Sequence, residues 1–172
     1  MLFRSNKGPV AGGDTITIAG SYFTGATSVK FGTASATFTV TDDSTITATV
    51  PAGSVSIVDV TVTTVGGTSS TSGTGNDYRY FAVPTVASLS TQVGPIAGGT
   101  AVTISGSNLD GVTSVTFGGA AATSVVVVDD STLTLVTPAR PIGSVDVVVT
   151  TPGGVATATK DRKSTRLNSS HT

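Results

Sequence analysis

One long segment occurs twice in this chain of 172 residues. "GPVAGGDTITIAGSYF", residues 8–23, returns as "GPIAGGTAVTISGSNL", residues 94–109, and the two copies align without a gap as far as Val40 and Val126. Beyond that point they resume one residue out of step, and they still match at "VDVTVTTVGG" and "VDVVVTTPGG". A repeat period longer than about 50 residues predicts tandem domains, each with its own core, more than a solenoid. We therefore predict two domains, residues 1–83 and 84–159.

Each copy is patterned as a series of short β-strands. Thr (33 residues), Val (25) and Gly (21) dominate, whereas Glu and Trp are absent, and β-branched residues favour pleated sheets. Apolar residues alternate with Thr, Ser or Asp, as in strands with one buried face, and short strands between turn signals predict an all-β fold of two β-sandwiches. The residues predicted to face the core are Ile16, Ile18, Val29, Phe31, Ile46, Ala48, Val50, Val58, Val60 and Val62 in copy one, and Val102, Ile104, Val115, Phe117, Leu133, Leu135, Val145, Val147 and Val149 in copy two.

A glycine pair opens each copy, at Gly12 with Gly13 and at Gly98 with Gly99. Glycine supplies the backbone freedom for a bend that other residues resist, so the pair predicts the corner at which the chain enters the sandwich. A glycine-rich loop that cradles phosphate would need a helix behind it or a lysine within it, and the sequence predicts neither.

The motifs of both copies resemble the IPT/TIG family of immunoglobulin-like domains. Copy one supplies "GPVAGGDTITIAG", "VKFG", "TITATVPAG", "VDVTVTT" and "DYRYFA", and copy two supplies all but the last. The resemblance implies an early-set immunoglobulin-like sandwich, a domain found in extracellular receptors, Rel-related transcription factors, starch-active enzymes and bacterial surface proteins. The Thr-, Val- and Gly-rich tandem copies resemble the bacterial surface arrays most, which implies an extracellular or cell-surface location.

The end of the chain departs from the repeat. Copy one ends with "NDYRYFAV", in which Tyr78, Tyr80 and Phe81 are predicted to form the last strand and to cover the core. Copy two has "KDRKSTRLNSSHT" instead, residues 160–172, where composition, charge and pattern change together. We interpret this segment as a non-native tail, and we predict that the second sandwich lacks its final strand.

Charge and composition narrow the classes of partner. The net charge is −1, but residues 1–159 carry five basic and nine acidic groups, a net charge of −4. This charge argues against nucleic acid as a partner.

No apolar run approaches the roughly 20 residues that span a bilayer, and the first residues lack the apolar core of a signal peptide. We therefore expect neither membrane insertion nor an export signal within this sequence. The absence of cysteine excludes disulfides and thiolate metal sites.

No constellation of reactive residues stands out. His171, the only histidine, lies in the suspect tail, so a general base near neutral pH is lacking in the predicted domains. We predict no catalytic residue, no cofactor and no metal ligand. The pairs at Asp42 and at Asp129 could contribute to a calcium site, because Ca²⁺ prefers oxygen ligands, but "DDST" is also a turn in which Asp bonds nearby backbone groups.

Two aromatic residues remain as weak candidates for ligand contact, Tyr22 and Phe23 in the "SYFTG" loop, because exposed aromatics are the usual platforms for sugars. Asn108 and Leu109 replace them in copy two, which argues against a shared glycan site. Asp59 and Asp146 are out of phase with the inward valines and are predicted to be solvated charges that block edge pairing.

Two functions of different class remain. The first is a structural or adhesive spacer module of a larger secreted or cell-surface protein, whose partners are neighbouring domains and a surface protein or glycan. Its two sandwiches would be joined through Val83, Pro84 and Thr85. The second is a carbohydrate-binding accessory module of an extracellular hydrolase. Without a cluster of His, Cys or Glu, an enzyme is a remote third hypothesis.

Overall fold

The computed structural model describes residues 2–3, without their side chains, and residues 6–159. The described chain divides into two compact units. One ends at Pro84 and also includes Thr150–Val155; the other comprises Thr85–Val149 and, of the described residues that follow, 156–159. The proposed non-native tail, residues 160–172, lies outside the described residues, and the domain limits at 83 and 159 stay a prediction.

The first copy forms a sandwich of two sheets. One sheet has the order β1-β3-β7-β6, and the other has the order β2-β10-β8-β4-β5 with β9 also paired to β8. Neighbouring strands run antiparallel, except that β2 and β10 run parallel. The elements are β1 (Leu2–Phe3), β2 (Lys7–Pro9), β3 (Thr15–Ala19), β4 (Ser28–Phe31), β5 (Ala34–Ser35), β6 (Thr37–Asp42), β7 (Thr45–Thr49), β8 (Ile57–Thr64), β9 (Gly67–Thr68), a 3₁₀ turn at Thr74–Asn76 and β10 (Asp77–Phe81).

The second copy repeats this architecture, with fewer strands over its described residues. Its sheets have the orders β11-β12-β16-β15 and β14-β13-β17-β18. The strands are β11 (Thr85–Leu89), β12 (Ala101–Ser107), β13 (Ser114–Phe117), β14 (Ala120–Ala121), β15 (Thr123–Asp129), β16 (Thr132–Val136), β17 (Val147–Thr151) and β18 (Gly154–Ala158). The predicted all-β fold of two sandwiches is confirmed. No helix in the described part of the chain is long and apolar enough to cross a membrane.

Each sandwich has its own core, built from the alternating residues that the sequence singled out. Because successive side chains of a strand point to opposite faces, one apolar row per strand is enough to line the space between two sheets. Val58 and Val145 are only half-buried, but they pack against their cores. The buried core residues are Ile16, Ile18, Phe23, Val29, Phe31, Ile46, Ala48, Val50, Val60, Val62, Tyr78 and Tyr80 in the first sandwich, and Val102, Ile104, Leu109, Val115, Phe117, Leu133, Leu135, Val147 and Val149 in the second.

The glycine pairs form corners, as predicted. In the first sandwich φ is 66° at Gly12 and 91° at Gly13, a region that residues with a Cβ rarely adopt. The amide of Gly13 donates to the carbonyl of Val50 over 2.9 Å, which ties the corner to the end of β7. A Cβ on Gly12 would lie 2.5 Å from the backbone of Pro51. The second sandwich also has positive φ values at its own pair.

The one-residue step between the copies is a β-bulge. In the first sandwich Phe38 on β6 lies opposite Ala48 on β7, but in the second the register shifts between Thr123 and Val126 on β15. Ser124 lies inside this shift and has a φ of 51°, as expected where an extra residue bulges out of a ladder. The insertion is therefore absorbed in an edge strand, and both flanking segments keep their inward faces.

The closing strand is the main difference between the sandwiches. In the first, β10 lies between β2 and β8, with Tyr78, Tyr80 and Phe81 buried. The rings of Tyr78 and Phe31 meet edge to face at 5.2 Å, and those of Tyr78 and Tyr80 at 5.0 Å. Among the described residues the second sandwich has no counterpart of β2 or β10. The covering role predicted for the "DYRYF" strand is confirmed. Its absence from copy two stays a prediction, because the aligned segment of that copy falls within residues 160–172, outside the described residues.

The expectation that Asp59 is a solvated edge charge is wrong. Its strand, β8, has neighbours on both sides, and the Asp59 carboxylate accepts a hydrogen bond of 2.8 Å from the side-chain amide of Asn76. Asn76 is buried just before β10, so this bond anchors the start of the closing strand. The equivalent Asp146 is exposed.

We predict that the second sandwich unfolds at a lower temperature than the first. Burial of a large side chain contributes roughly 1.5–3 kcal/mol, and the first sandwich buries two tyrosines that have no counterpart in the second. All three tyrosines, Tyr22, Tyr78 and Tyr80, lie in the first sandwich, so near-ultraviolet tyrosine circular dichroism reports on that sandwich, whereas far-ultraviolet dichroism reports on both. The far-ultraviolet signal should show an earlier transition that the tyrosine signal lacks.

Two equivalent core variants assign the transitions. Val60→Ala should lower the midpoint temperature of the later transition only, and Val147→Ala that of the earlier transition only. Each substitution removes methyl groups from one core. A single transition that has the same midpoint in the far-ultraviolet and the tyrosine signals would contradict the prediction.

Candidate functional site

The loop between β3 and β4 holds the two candidate contact residues, and the structure separates them. Tyr22 is 81% exposed, whereas Phe23 is 4% exposed and belongs to the core. The expectation that both side chains are available to a ligand is therefore wrong for Phe23. Tyr22 is the one large aromatic side chain that the described residues present to solvent.

Phe23 is buried because the loop folds back over the end of the sandwich. Its amide donates to the backbone carbonyl of Asp43 over 2.9 Å, and its ring packs against Gly20, where a Cβ would lie 2.5 Å from the ring. Tyr22 has a φ of 61°, a left-handed conformation that is uncommon for a non-glycine residue. The two neighbouring side chains therefore have opposite environments, one in the core and one in solvent.

The carboxylate of Asp43 holds the loop in place. Its oxygens accept hydrogen bonds from the Thr24 hydroxyl (2.8 Å), the Thr24 amide (3.2 Å) and the Tyr22 amide (3.3 Å). These donors favour the ionised form, so the hydrogen bond from the Thr24 hydroxyl, followed by that from its amide, lowers the pKa of Asp43. The Tyr22 ring is thus exposed on a loop whose backbone is fixed on both sides of it.

The second sandwich builds the same loop without the aromatic ring. Asn108 takes the place of Tyr22 with a φ of 56°, and Leu109 takes the place of Phe23 and is fully buried. The amides of Asn108 and Asp110 donate to the Asp130 carboxylate over 3.3 Å each. The loop geometry is therefore shared, whereas an exposed aromatic side chain is a property of the first sandwich alone.

The paired aspartates form the predicted turns. Asp42 Oδ1 accepts from both the amide and the hydroxyl of Ser44 at 2.7 Å, and Asp129 Oδ1 accepts in the same way from Ser131 at 2.8 and 2.7 Å. The serine hydroxyl and then its amide lower the pKa of each of these aspartates. No group of three or more His, Cys, Asp or Glu side chains suited to a metal ion occurs in residues 6–159.

The buried tyrosines have a structural role. The Tyr80 hydroxyl donates to the carbonyl of Pro51 over 2.9 Å. The Tyr78 hydroxyl is buried with no hydrogen-bond partner in the part of the chain that the structure describes, and burial, with a smaller contribution from the charge of Asp14, raises its pKa. Neither hydroxyl is placed to act on a bound molecule, since both face the interior.

Sequence reasoning missed Arg140. It takes the place of Gly53, since "PAG" at residues 51–53 aligns with "PAR" at residues 138–140. Its guanidinium Nη1 donates to the carbonyl of Gly118 over 2.6 Å. The alignment of the copies carries this signal, because a charged side chain replaces a glycine in an otherwise similar segment.

Comparison with known proteins finds the IPT/TIG domain twice in this chain, at residues 3–80 and 84–165. Comparison with curated protein sequences finds no match.

Among solved structures, the chain is similar to SGBP-B from a complex xyloglucan utilization locus in Bacteroides uniformis, with 25% identity, a TM-score of 0.43, and coverage of 88% of this chain and 45% of that one. It is also similar to the surface glycan-binding protein PbSGBP-B from Prevotella bryantii (18% identity, TM-score 0.43, 90% and 37% coverage). A third similar structure is the Plexin A4 extracellular region (22% identity, TM-score 0.48, 90% and 17% coverage). The chain spans less than half the length of each of these proteins.

We predict opposite effects of substitutions at the two neighbouring loop residues. Phe23→Ala should lower the free energy of unfolding of the first sandwich by about 3–5 kcal/mol, because it empties a buried site. Tyr22→Asn, which introduces the residue that the second sandwich has in the same conformation, should change it by less than about 0.5 kcal/mol. Denaturant unfolding followed by tyrosine fluorescence measures both, because every tyrosine of the chain lies in the first sandwich. Equal losses would show that Tyr22 also supports the fold.

We also predict that acid weakens the first sandwich through Asp43. Because its pKa is lower in the folded state, its contribution to stability is complete above the unfolded-state pKa of about 3.9 and is lost as the pH falls through the folded-state pKa. The urea midpoint should therefore decrease between about pH 5 and pH 2. Asp43→Asn should lower the midpoint at pH 7 and reduce its decrease in acid. Asp42 leaves a residual pH dependence. Identical pH profiles for the two proteins would contradict the assignment.

Proposed function

Because this chain belongs to the IPT/TIG domain family, we propose that it is a non-catalytic structural or adhesive spacer module of a larger secreted or cell-surface protein. The observation that carries the proposal is the short connection between the two folded copies. Only residues 82–84 separate β10 from β11, and Pro84 has a fixed φ. So short a linker favours restricted bending over free rotation, as a spacer requires.

The outer surfaces also suit a passive module. The faces of β3 and β7 that point away from the core carry threonines paired across the strands, Thr15 with Thr49 and Thr17 with Thr47. Cross-strand threonine pairs stabilise a solvated sheet face without a large apolar patch. The described residues also contain no histidine, cysteine or glutamate, which leaves few of the groups that enzymes use as nucleophile or base.

Spin-label distances between the two sandwiches test the spacer. The chain has no native cysteine, so Thr39→Cys and Val126→Cys provide unique labelling sites at equivalent, exposed positions of β6 and β15. The expected result is one narrow distance distribution. A control with Gly-Gly-Ser inserted after Val83 should broaden it. A distribution that is as broad without the insertion as with it would contradict the spacer proposal.

A second candidate is a carbohydrate-binding accessory module, and Tyr22 is the observation that favours it. An exposed ring on a fixed loop can stack against the apolar face of a sugar with little loss of conformational entropy. Because only one of the two equivalent loops carries an exposed ring, we expect weak binding at a single site. The Tyr22 ring would carry this function in the first sandwich only.

A glycan array compares this candidate with the spacer. Binding by the unmodified chain that is lost in Tyr22→Asn would support the glycan candidate, because the substitution keeps the loop conformation of the second copy. An array without binding, or binding that is unchanged in Tyr22→Asn, would contradict it.

A further inference from the structure

The second sandwich contains an open groove of about 1030 Å³, lined only by residues between Val86 and Thr159. Its walls include the core residues Phe117 and Val147, together with Val145, Pro95 and Ile96. Ile96 is 65% exposed and Ile142, at the rim, is 94% exposed. Such a concentration of exposed apolar surface marks a site for another chain or ligand in a folded protein.

The first sandwich shows what fits such a groove. Phe31, the equivalent of Phe117, is covered there by the ring of Tyr78. Tyr80 lies two positions further along β10, and its ring occupies the space beside Gly53, where a Cβ would lie 2.7 Å from the ring. The groove of the second sandwich therefore corresponds to the space that β10 fills in the first. An inserted β-strand would fit it, with every second side chain pointing inward.

The backbone segments on both sides of the groove belong to no strand, unlike their counterparts in the first sandwich. In the first sandwich, residues 57–59 of β8 pair with β10, and β2 pairs with β10 from the other side. The equivalent residues of the second sandwich, 144–146 and 93–95, lie outside its strands. β17 accordingly begins at Val147, three positions later than β8 begins in the aligned sequence. Strand addition would extend both segments by main-chain hydrogen bonds.

Arg140 makes this groove chemically different from the corresponding space of the first sandwich. It is the one charged residue among the described residues that line the groove, and it stands where Gly53 leaves room for Tyr80. Its Nη1 is bound to the carbonyl of Gly118, but its Nε is buried without a hydrogen-bond partner in residues 6–159. A carboxylate is the complement of a guanidinium that retains an unused donor.

We propose that the groove binds an extended peptide strand that places an aromatic residue against Phe117 and an acidic residue two positions later beside Arg140. The charge complementarity at Arg140 and the aromatic contact at Phe117 define this partner. Residues 160–172 do not fit the pattern: they contain no aromatic residue other than His171, and Leu167 is their one large apolar side chain. The strand is therefore supplied by a polypeptide segment other than these residues.

Peptides with the sequence of β10 test the proposal on the full chain. Peptide 76–83 carrying Tyr80→Glu should bind with a stoichiometry of one and shift the methyl resonances of Val145 and Val147. It should bind about tenfold more tightly than the unmodified peptide 76–83, because a charge-assisted hydrogen bond replaces a steric conflict. The same peptide with Tyr78→Ser in addition should lose at least about tenfold in affinity, because it lacks the ring for Phe117. Isothermal titration calorimetry measures all three.

The variant Arg140→Gly, which restores the residue of the first sandwich, provides the matched control. It should reverse the preference, so that the unmodified peptide binds more tightly than the Tyr80→Glu peptide. Absence of binding by every peptide, or a preference that Arg140→Gly leaves unchanged, would overturn the proposal. Binding that appears only after residues 160–172 are removed would show that the chain's own tail occupies the groove, and would also overturn it. A dimer in sedimentation that excludes the peptides would do the same, because a second copy would then be the occupant.

Discussion

The pleat of a β-strand sends alternate side chains to opposite faces, and the rest of this structure depends on the apolar row that the pleat creates. Each sandwich stacks the rows of one sheet on those of the other. Ile18 and Val60, from facing sheets, are fully buried in the first, as are Ile104 and Val149 in the second. The chain has no disulfide, so these rows and the ladders that carry them are the main source of stability. The glycine corners and the aspartate turns serve the same arrangement, because they return the chain so that each new row faces the last.

Among the described residues, a closing strand completes the arrangement in the first copy alone. In the first sandwich β10 adds two buried tyrosine rings, extends β8 by pairing with residues 57–59, and brings Asn76 to Asp59. This strand has no counterpart among the described residues of the second sandwich. There the start of β17 is shortened, Asp146 is exposed, and Phe117 borders an open groove. These local differences have one common cause, and that cause also produces the surface to which we assign a peptide ligand.

The sequence predicted the features that depend on local pattern. Alternation identified the inward faces, and repeated glycine pairs and "DDS" segments identified the corners and turns. It failed where tertiary contacts decide the outcome. Phe23 looked like an exposed loop residue because the Asp43 hydrogen bonds that fold its loop over the core join residues about 20 positions apart. Asp59 looked solvated because its partner, Asn76, approaches only when β10 closes the sheet. The step between the copies indicated an insertion, but only the register of β15 with β16 places it near Ser124. The alignment of the copies shows that Arg140 replaces Gly53, but only the structure shows that Arg140 lines the groove.

Amide hydrogen exchange is the most direct test of the claim that the two copies share one fold and that the closing strand of the first copy is what distinguishes them. We expect similar slow exchange in β3 and β12, the equivalent central strands of the two sandwiches. Residues 57–59, which pair with β10, should exchange slowly. Residues 144–146, which have no such partner strand in the part of the chain that the structure describes, should exchange fast. Equal protection of these two segments would contradict this explanation, since it would mean that the second sandwich closes as completely as the first.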